Sequence, residues 1–393
     1  MSTDRPGRTG RPARAGLYLG ALLGPFGGGV VAAILPEIGE SFDVPAATAA
    51  SSLTAYLLPF AALMLVSGTL GERWGPARTI RLAYIGYALV TIVAVVAPWF
   101  WLFQVSRGLQ GCANAFTTPL LMARLAGMTA PDRLGRALGM FAAMQAVGQT
   151  SAPLVGGLAA EASWRWAFVG IAVVGAALAV WPLPPDERTA DSASARRPAD
   201  GLLYQLREPL RRDVLLPGLA ALVGWACLAG LAFLVAFRFE DAFGLGSGAR
   251  GLVLTGFGVA GFVCARAVGA AADRFGGRAT AVVGLLAGAG LLVVIGATTT
   301  LPVAVAAWAA AGVCGQLVLV AVNTTVLADS SPGRGGAISV VQSMRFLGMA
   351  AAPAVFTAPY HADALLGFAL PAAALVAAAP LAATTLSRGR SRD

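Results

Sequence analysis

Twelve apolar stretches, each near the ~20 residues that carry a helix across a bilayer, fill almost the whole of this 393-residue chain. They lie at roughly 16–36, 47–70, 79–97, 100–126, 134–159, 166–183, 214–237, 248–271, 279–299, 302–327, 335–357 and 362–386. With 57% apolar and 12% charged residues, the chain cannot clothe itself in a polar surface, so the bilayer is its solvent. The expected fold is an all-α integral membrane protein with twelve transmembrane helices in two six-helix bundles. A polar break holding Pro182, Pro184, Pro185, Asp186, Glu187, Arg196 and Arg197 divides it. The predicted units are residues 1–183, a cytoplasmic linker over 184–213, and residues 214–393.

The halves share a pattern. Gly68, Glu72, Arg73, Gly75 and Arg78 close the second run, and Gly269, Asp273, Arg274, Gly276 and Arg278 close the eighth. Gly148, Ala152 and Pro153 of the fifth run recur as Gly348, Ala352 and Pro353 of the eleventh. A duplicated bundle with pseudosymmetric halves is the form of many secondary transporters.

The formal net charge of +9 comes from arginine alone, since the chain has no lysine. With the amino terminus in the cytoplasm, that side collects Arg5, Arg8, Arg11, Arg14, Arg73, Arg78, Arg81, Arg124, Arg133, Arg136, Arg274, Arg278, Arg334 and the carboxy-terminal arginines. The other side receives only Arg165, Arg238 and Arg250. This is the positive-inside distribution and predicts two cytoplasmic termini. It explains the basic charge without a nucleic-acid partner, for which no aromatic-interleaved basic patch exists. The first run is expected to be retained, because no small-residue cleavage site precedes Pro36. The arginine- and alanine-rich composition suits a bacterial plasma membrane.

Absent residues exclude chemistry. Without lysine there is no phosphate-binding Walker loop. Cys112, Cys227, Cys264 and Cys314 sit singly in four different runs, which suits core packing rather than a metal or disulfide framework. His361, the one histidine, lies at a helix boundary, so a nucleophile has no nearby base. The chain is therefore expected to be no enzyme, and to need no cofactor or metal.

A polar side chain facing lipid is costly, so polar positions map the interior. The third, sixth, ninth and twelfth runs have almost none. The fourth carries Arg107, Gln110, Asn114 and Thr118 on one helical stripe, the first choice for a cavity wall. The fifth adds Gln145 and Gln149, the tenth Gln316 and Asn323, the eleventh Gln342 and Arg345, and the eighth Arg266. Each of these also suits simple helix-to-helix hydrogen bonding.

Several motifs resemble the major facilitator superfamily over the whole chain. The stretch from Gly68 through Glu72 and Arg73 to Gly75 resembles its signature loop between helices two and three, with Glu72 replacing the usual aspartate. Arg107, Gln110 and Gly111 are similar to its helix-four motif. Gly139, Gly148, Pro153, Gly156 and Gly157 resemble the helix-five motif of drug:proton antiporters, with Ala152 in place of a glycine. Ser163-Trp164-Arg165-Trp166-Ala-Phe168 resembles the start of helix six in those exporters. The resemblance implies rocking of two halves about a central site lined by helices one, four, seven and ten.

From the residues themselves, Glu72, Arg73, Arg78, Asp273, Arg274 and Arg278, with Gly68 and Gly75, are expected to form a cytoplasmic gate whose charge cluster stabilises the outward-facing state. Pro153 removes an amide proton and should kink the fifth helix. No carboxylate lies mid-membrane, so proton coupling falls to Glu37 or a gate acid, with Arg107 acting through its field. Phe26, Tyr56, Trp225, Phe257 and the amides suit a moderately hydrophobic solute. The expected activity is export of small amphipathic organic compounds by proton antiport. The expected partners are that solute, protons and lipid, in a monomer. The alternatives are uptake of a small organic anion held by Arg107, Arg266 or Arg345, and a receptor or scaffold without flux.

Overall fold

The structure is a computed structural model, and it describes residues 10–130, 133–183, 212–328 and 334–385. Every regular element among them is helical. In the first half α1 is Gly10–Gly29, extended by a 3-10 turn at Val30–Ala33. Two short helices, Leu35–Ser41 and Ala46–Ala49, then lead to α2 (Ser51–Trp74). Next come α3 (Pro76–Val96), α4 (Phe100–Ala115, resumed as Thr118–Gly127), α5 (Leu134–Ala160) and α6 (Arg165–Val180). In the second half α7 is Arg212–Cys227, continued through a 3-10 turn by Ala232–Phe243. Ser247–Ala297 is divided at Gly276 into α8 and α9, followed by α10 (Leu301–Ala328), α11 (Arg334–Ala362) and α12 (Ala364–Thr385). Among the described residues seven helical stretches are by length and composition alone apolar enough to cross a membrane, the Ser247–Ala297 pair counting as one.

The internal repeat has a structural cause at two places. Gly75 and Gly276 both hold positive φ, 92° and 80°, so each turns the chain between consecutive helices where a Cβ would be strained. Gly148 of α5 lies against the Leu22 carbonyl of α1, and Gly348 of α11 lies against the Leu222 carbonyl of α7. The repeated glycine thus lets the fifth helix of each half touch the backbone of the first, which makes the two bundles alike at this close crossing.

Apolar side chains of α3, α6, α9 and α12 are exposed, among them Leu89, Val173, Val293 and Val376. These helices are the lipid-facing wall, in line with their lack of polar residues. The halves meet where α5 packs on α8 and α2 on α11.

Two runs differ from expectation. The fourth breaks after Ala115, where the Thr117 amide bonds back three residues to Asn114 at 3.0 Å and Pro119, lacking an amide proton, opens the next helix. The seventh continues to Phe243 past a break at Leu228, whose φ and ψ of −112° and −86° leave the helical region. Of the linker expected over 184–213, Arg212 and Asp213 belong to α7, and residues 184–211 lie outside the described residues.

Candidate functional site: a cavity between the halves

A cavity of about 200 Å³ lies between the halves. Both supply its walls: Gly28, Leu57, Gln149 and Thr150 from the first, and Trp225, Phe233, Phe257, Trp308, Gln316 and Arg345 from the second. Of the cavity residues expected from sequence, the lining includes Gln149, Trp225, Phe257, Gln316 and Arg345. Trp308 was not anticipated, although it lies in the tenth run. Its ring packs 4.7 Å from that of Phe257, and its indole N–H donates to the Leu254 carbonyl at 3.2 Å. Among the described residues the only cation on the lining is Arg345, whose guanidinium stands 4.0 Å from the centre of the Trp225 ring and donates to Oε1 of Gln342. No carboxylate among those residues lines the cavity.

The α4 stripe faces elsewhere. Arg107 is fully buried inside the first bundle, where it donates to the Gly27 carbonyl at 3.0 Å and Gln110 Oε1 at 2.8 Å. Gln110 donates in turn to Thr91, and Asn114 to the Gly24 carbonyl and the Tyr56 hydroxyl. The guanidinium also lies 4.4 Å from the centre of the Tyr56 ring. Tyr56, Arg107, Gln110 and Asn114 therefore join α1, α2, α3 and α4, and none of them lines this cavity. Helical period identified the right face, but a bundle interior and a cavity both avoid lipid, and period does not separate them. Phe26, Gln145 and Asn323 are half-buried and also outside the lining, and Gln342 reaches the cavity only by its bond to Arg345.

Gly10 and Thr385, the first and last described residues, lie toward one face, here the terminal face, where Arg14 donates to the Met128 carbonyl at 2.8 Å. At the opposite face the halves are joined. Arg250, at the start of α8, forms ion pairs with Glu37 of the first half and Glu240 of the second, and its side chain is 2% exposed. Glu37 lies beyond the membrane-spanning stretch Pro12–Ala33. Burial raises the pKa of its carboxyl above the usual carboxylate range, an effect that the nearby Arg250 charge only partly offsets. Arg250 had been legible only as one of the few arginines on that side, because the Glu37 contact spans 213 residues of chain, and Glu240 was not singled out.

Below that ion pair runs a seam built on the helix-five motif. Gly156 lies on the Val30 carbonyl of the α1 extension, Gly157 on the Ser247 carbonyl, and the Pro153 carbonyl beside Gly251. The hydroxyl of Thr54 on α2 donates to the Ala350 carbonyl of α11 at 2.6 Å, and the Phe60 and Phe346 rings meet at 4.9 Å.

At the terminal face the expected gate residues do not come together. Glu72, Arg73 and Arg78 are exposed, as are Asp273, Arg274 and Arg278. No ion pair joins the two sets among the described residues. Gly68 lies nearest Pro119 of its own half, and Gly75 and Gly276 form the turns already described.

A sequence model of the Major Facilitator Superfamily matches residues 17–353. The uncharacterized MFS-type transporter EfpA of Mycobacterium tuberculosis is 37% identical over 140 residues, 34% of this chain and 26% of that protein. The puromycin resistance protein pur8 of Streptomyces alboniger is 30% identical over 166 residues, 41% and 33% of the two chains. The multidrug efflux pump LfrA of Mycolicibacterium smegmatis is 30% identical over 186 residues, 46% and 37%. The matches thus span about a quarter to two fifths of these relatives' lengths. Among solved structures, a D-xylose-proton symporter aligns with TM-score 0.76 at 14% identity, covering 96% of this chain and 98% of that one. A bacterial homologue of the lysosomal transporter Spinster, in an inward-facing conformation, aligns with TM-score 0.72 at 17% identity, covering 96% and 98%. At those identities the likeness is one of fold. The chain belongs to the Major Facilitator Superfamily and is a multi-pass membrane protein.

Proposed function

We propose that this transporter exports small amphipathic organic compounds from a bacterial cytoplasm by proton antiport, with its terminal face in the cytoplasm. The observation that carries the reading is the cavity walled by both halves, with the halves joined by the Arg250 ion pairs on the Glu37 side and Glu72, Arg73, Arg78, Asp273, Arg274 and Arg278 exposed at the terminal face. That arrangement suits the inward-facing stage of alternating access, in which solute enters from the cytoplasm. Aromatic walls with a few amides favour an amphipathic molecule over a sugar, which needs many convergent polar partners. The names of the relatives pur8 and LfrA agree with export. In the opposite, outward-facing stage, Glu72, Arg73, Arg78, Asp273, Arg274 and Arg278 would close the terminal face, as the sequence suggested.

The proton site in this account is Glu37, and the direction of its response follows from its surroundings. Burial in the closed Glu37 face raises its pKa, whereas opening that face would hydrate it and restore an ordinary carboxylate value. The closed state therefore binds protons more readily. Its advantage is complete below the ordinary carboxylate pKa and fades as pH rises through the raised value. Proton uptake then accompanies closure of the outer face, the sense an antiporter needs. A pH titration of a spin-label distance across that face should show closure in mild acid. In Glu37→Gln the response should shrink to what Glu240, the other partner of Arg250, contributes; a titration unchanged by this substitution removes Glu37 as the proton site.

The function itself is tested in proteoliposomes carrying an internal pH dye, with a panel of amphipathic drugs, organic acids and sugars. Solute-triggered proton movement opposite to solute flux supports antiport. Solute flux without proton movement contradicts it.

A further inference from the structure

Among the described residues Arg345 is a charge without a counterion. It is 8% exposed, on α11, and its partners are the neutral Gln342 amide and the rings of Trp225 and Phe346 at 4.0 and 5.9 Å. No Asp or Glu among those residues lines the cavity it borders. A guanidinium keeps its proton under all ordinary conditions, so the protein does not escape this cost by neutralising the group. Two buried donors on this lining are also unsatisfied: Nε of Arg345 and the indole Nε1 of Trp225, whose side chain carries the guanidinium on its face. Buried polar groups are normally bonded, and two left unbonded in residues that line a cavity point to a partner reached when the wall adjusts around it.

We infer that Arg345 and Trp225 form an anion site, and that the solute bound here is an amphipathic organic monoanion. Its acid group lies on the Arg345 guanidinium and the Trp225 N–H, and its apolar body against Phe257 and Trp308. One guanidinium with no second cation on the lining fixes the charge at one, and the aromatic walls require an apolar body rather than a small hydrophilic acid. Gln149 and Gln316, on opposite walls, are neutral and can serve further polar groups of the solute. Arg107 has no such role, because it is enclosed in the first bundle and bonded to the Gly27 carbonyl. This inference rests on the transport reading above and sharpens its substrate class.

The test is equilibrium binding to the purified full chain of three probes with one ring system: 1-naphthoate, 1-naphthylmethanol and 1-naphthylmethylamine. The expected order is naphthoate first, with Arg345→Gln weakening naphthoate about tenfold or more and leaving naphthylmethanol within about twofold. Arg345→Lys should recover part of the loss, and Arg266→Gln, on an exposed position of α8, should change nothing. Equal binding of acid and alcohol, tighter binding of the amine, or no saturable naphthoate binding each overturns the inference. Displacement of naphthoate by an equal concentration of phosphatidylglycerol would reassign the charge to a lipid headgroup, and overturns it too. Proton-coupled export of neutral or cationic solutes by a chain that does not bind naphthoate would sink the anion site while leaving the exporter reading intact. Naphthoate binding without proton-coupled flux of any solute would do the reverse.

Discussion

Gly157→Val should reduce transport by about a hundredfold while the protein still inserts into the membrane at normal levels. Gly157 is where α5 touches the other half: a Cβ there would run into the Ser247 carbonyl and the Gly251 backbone. Neither obstacle can rotate away, so the usual overpacking cost of roughly 1–3 kcal/mol is a lower bound. The cost falls on the state in which the Glu37 face is closed. The open state separates these backbones, so the variant should collect in it rather than unfold. Initial rates of solute flux, read with expression and detergent monodispersity, check this. Gly139→Ala is the matched control, because nothing lies within 4 Å of where its Cβ would stand. Normal flux by Gly157→Val would show that this seam does not need to close.

Arg250→Gln should open the same face by a different route. It removes the cation shared by Glu37 and Glu240 and leaves two carboxylates beside each other. Breaking a fully buried pair costs about 3–5 kcal/mol, but here Glu240 is 38% exposed and Glu37 25%, so solvent screens part of the loss. An effect of about 2 kcal/mol, roughly thirtyfold in the ratio of closed to open, is expected. Accessibility of a single cysteine at Ala32, which lines the cavity, to a membrane-impermeant thiol reagent added from outside should rise accordingly. Lowering the pH should partly restore closure, because protonating either carboxylate relieves the repulsion. An accessibility equal to that of the parent would make the Arg250 pairs incidental to gating.

Both predictions depend on contacts that the sequence disclosed unequally. Gly148, Pro153, Gly156 and Gly157 stood out as a motif by resemblance, and Pro153 gave the expectation of a kink. Which backbone each would meet was not legible, because Gly157 and Ser247 belong to different halves. The repeat was more telling. Gly75 and Gly276 are equivalent by sequence and equivalent in backbone conformation, since the same turn needs the same positive φ twice. Charge was the hardest to read. Glu37 was recognisable as an acid near a membrane boundary, yet Arg250 looked like a topological marker, and only folding brings them together. Likewise Arg107 and Arg345 were both apolar-helix arginines without a carboxylate nearby. The fold separates them, enclosing one within the first bundle and placing the other on the cavity wall.

The central claim is that two rigid halves rock about this cavity, joined at the Glu37 face in the structure described. The most direct measurement is a pair of spin-label distances in one lipid-reconstituted protein lacking its native cysteines. One pair, at Met140 and Ala270, crosses the α5–α8 gap at the terminal face; the other, at Leu158 and Leu252, crosses it at the Glu37 face. As pH and solute are varied, the account predicts that one distance lengthens while the other shortens. Two distances that stay fixed, or that lengthen together, would contradict it.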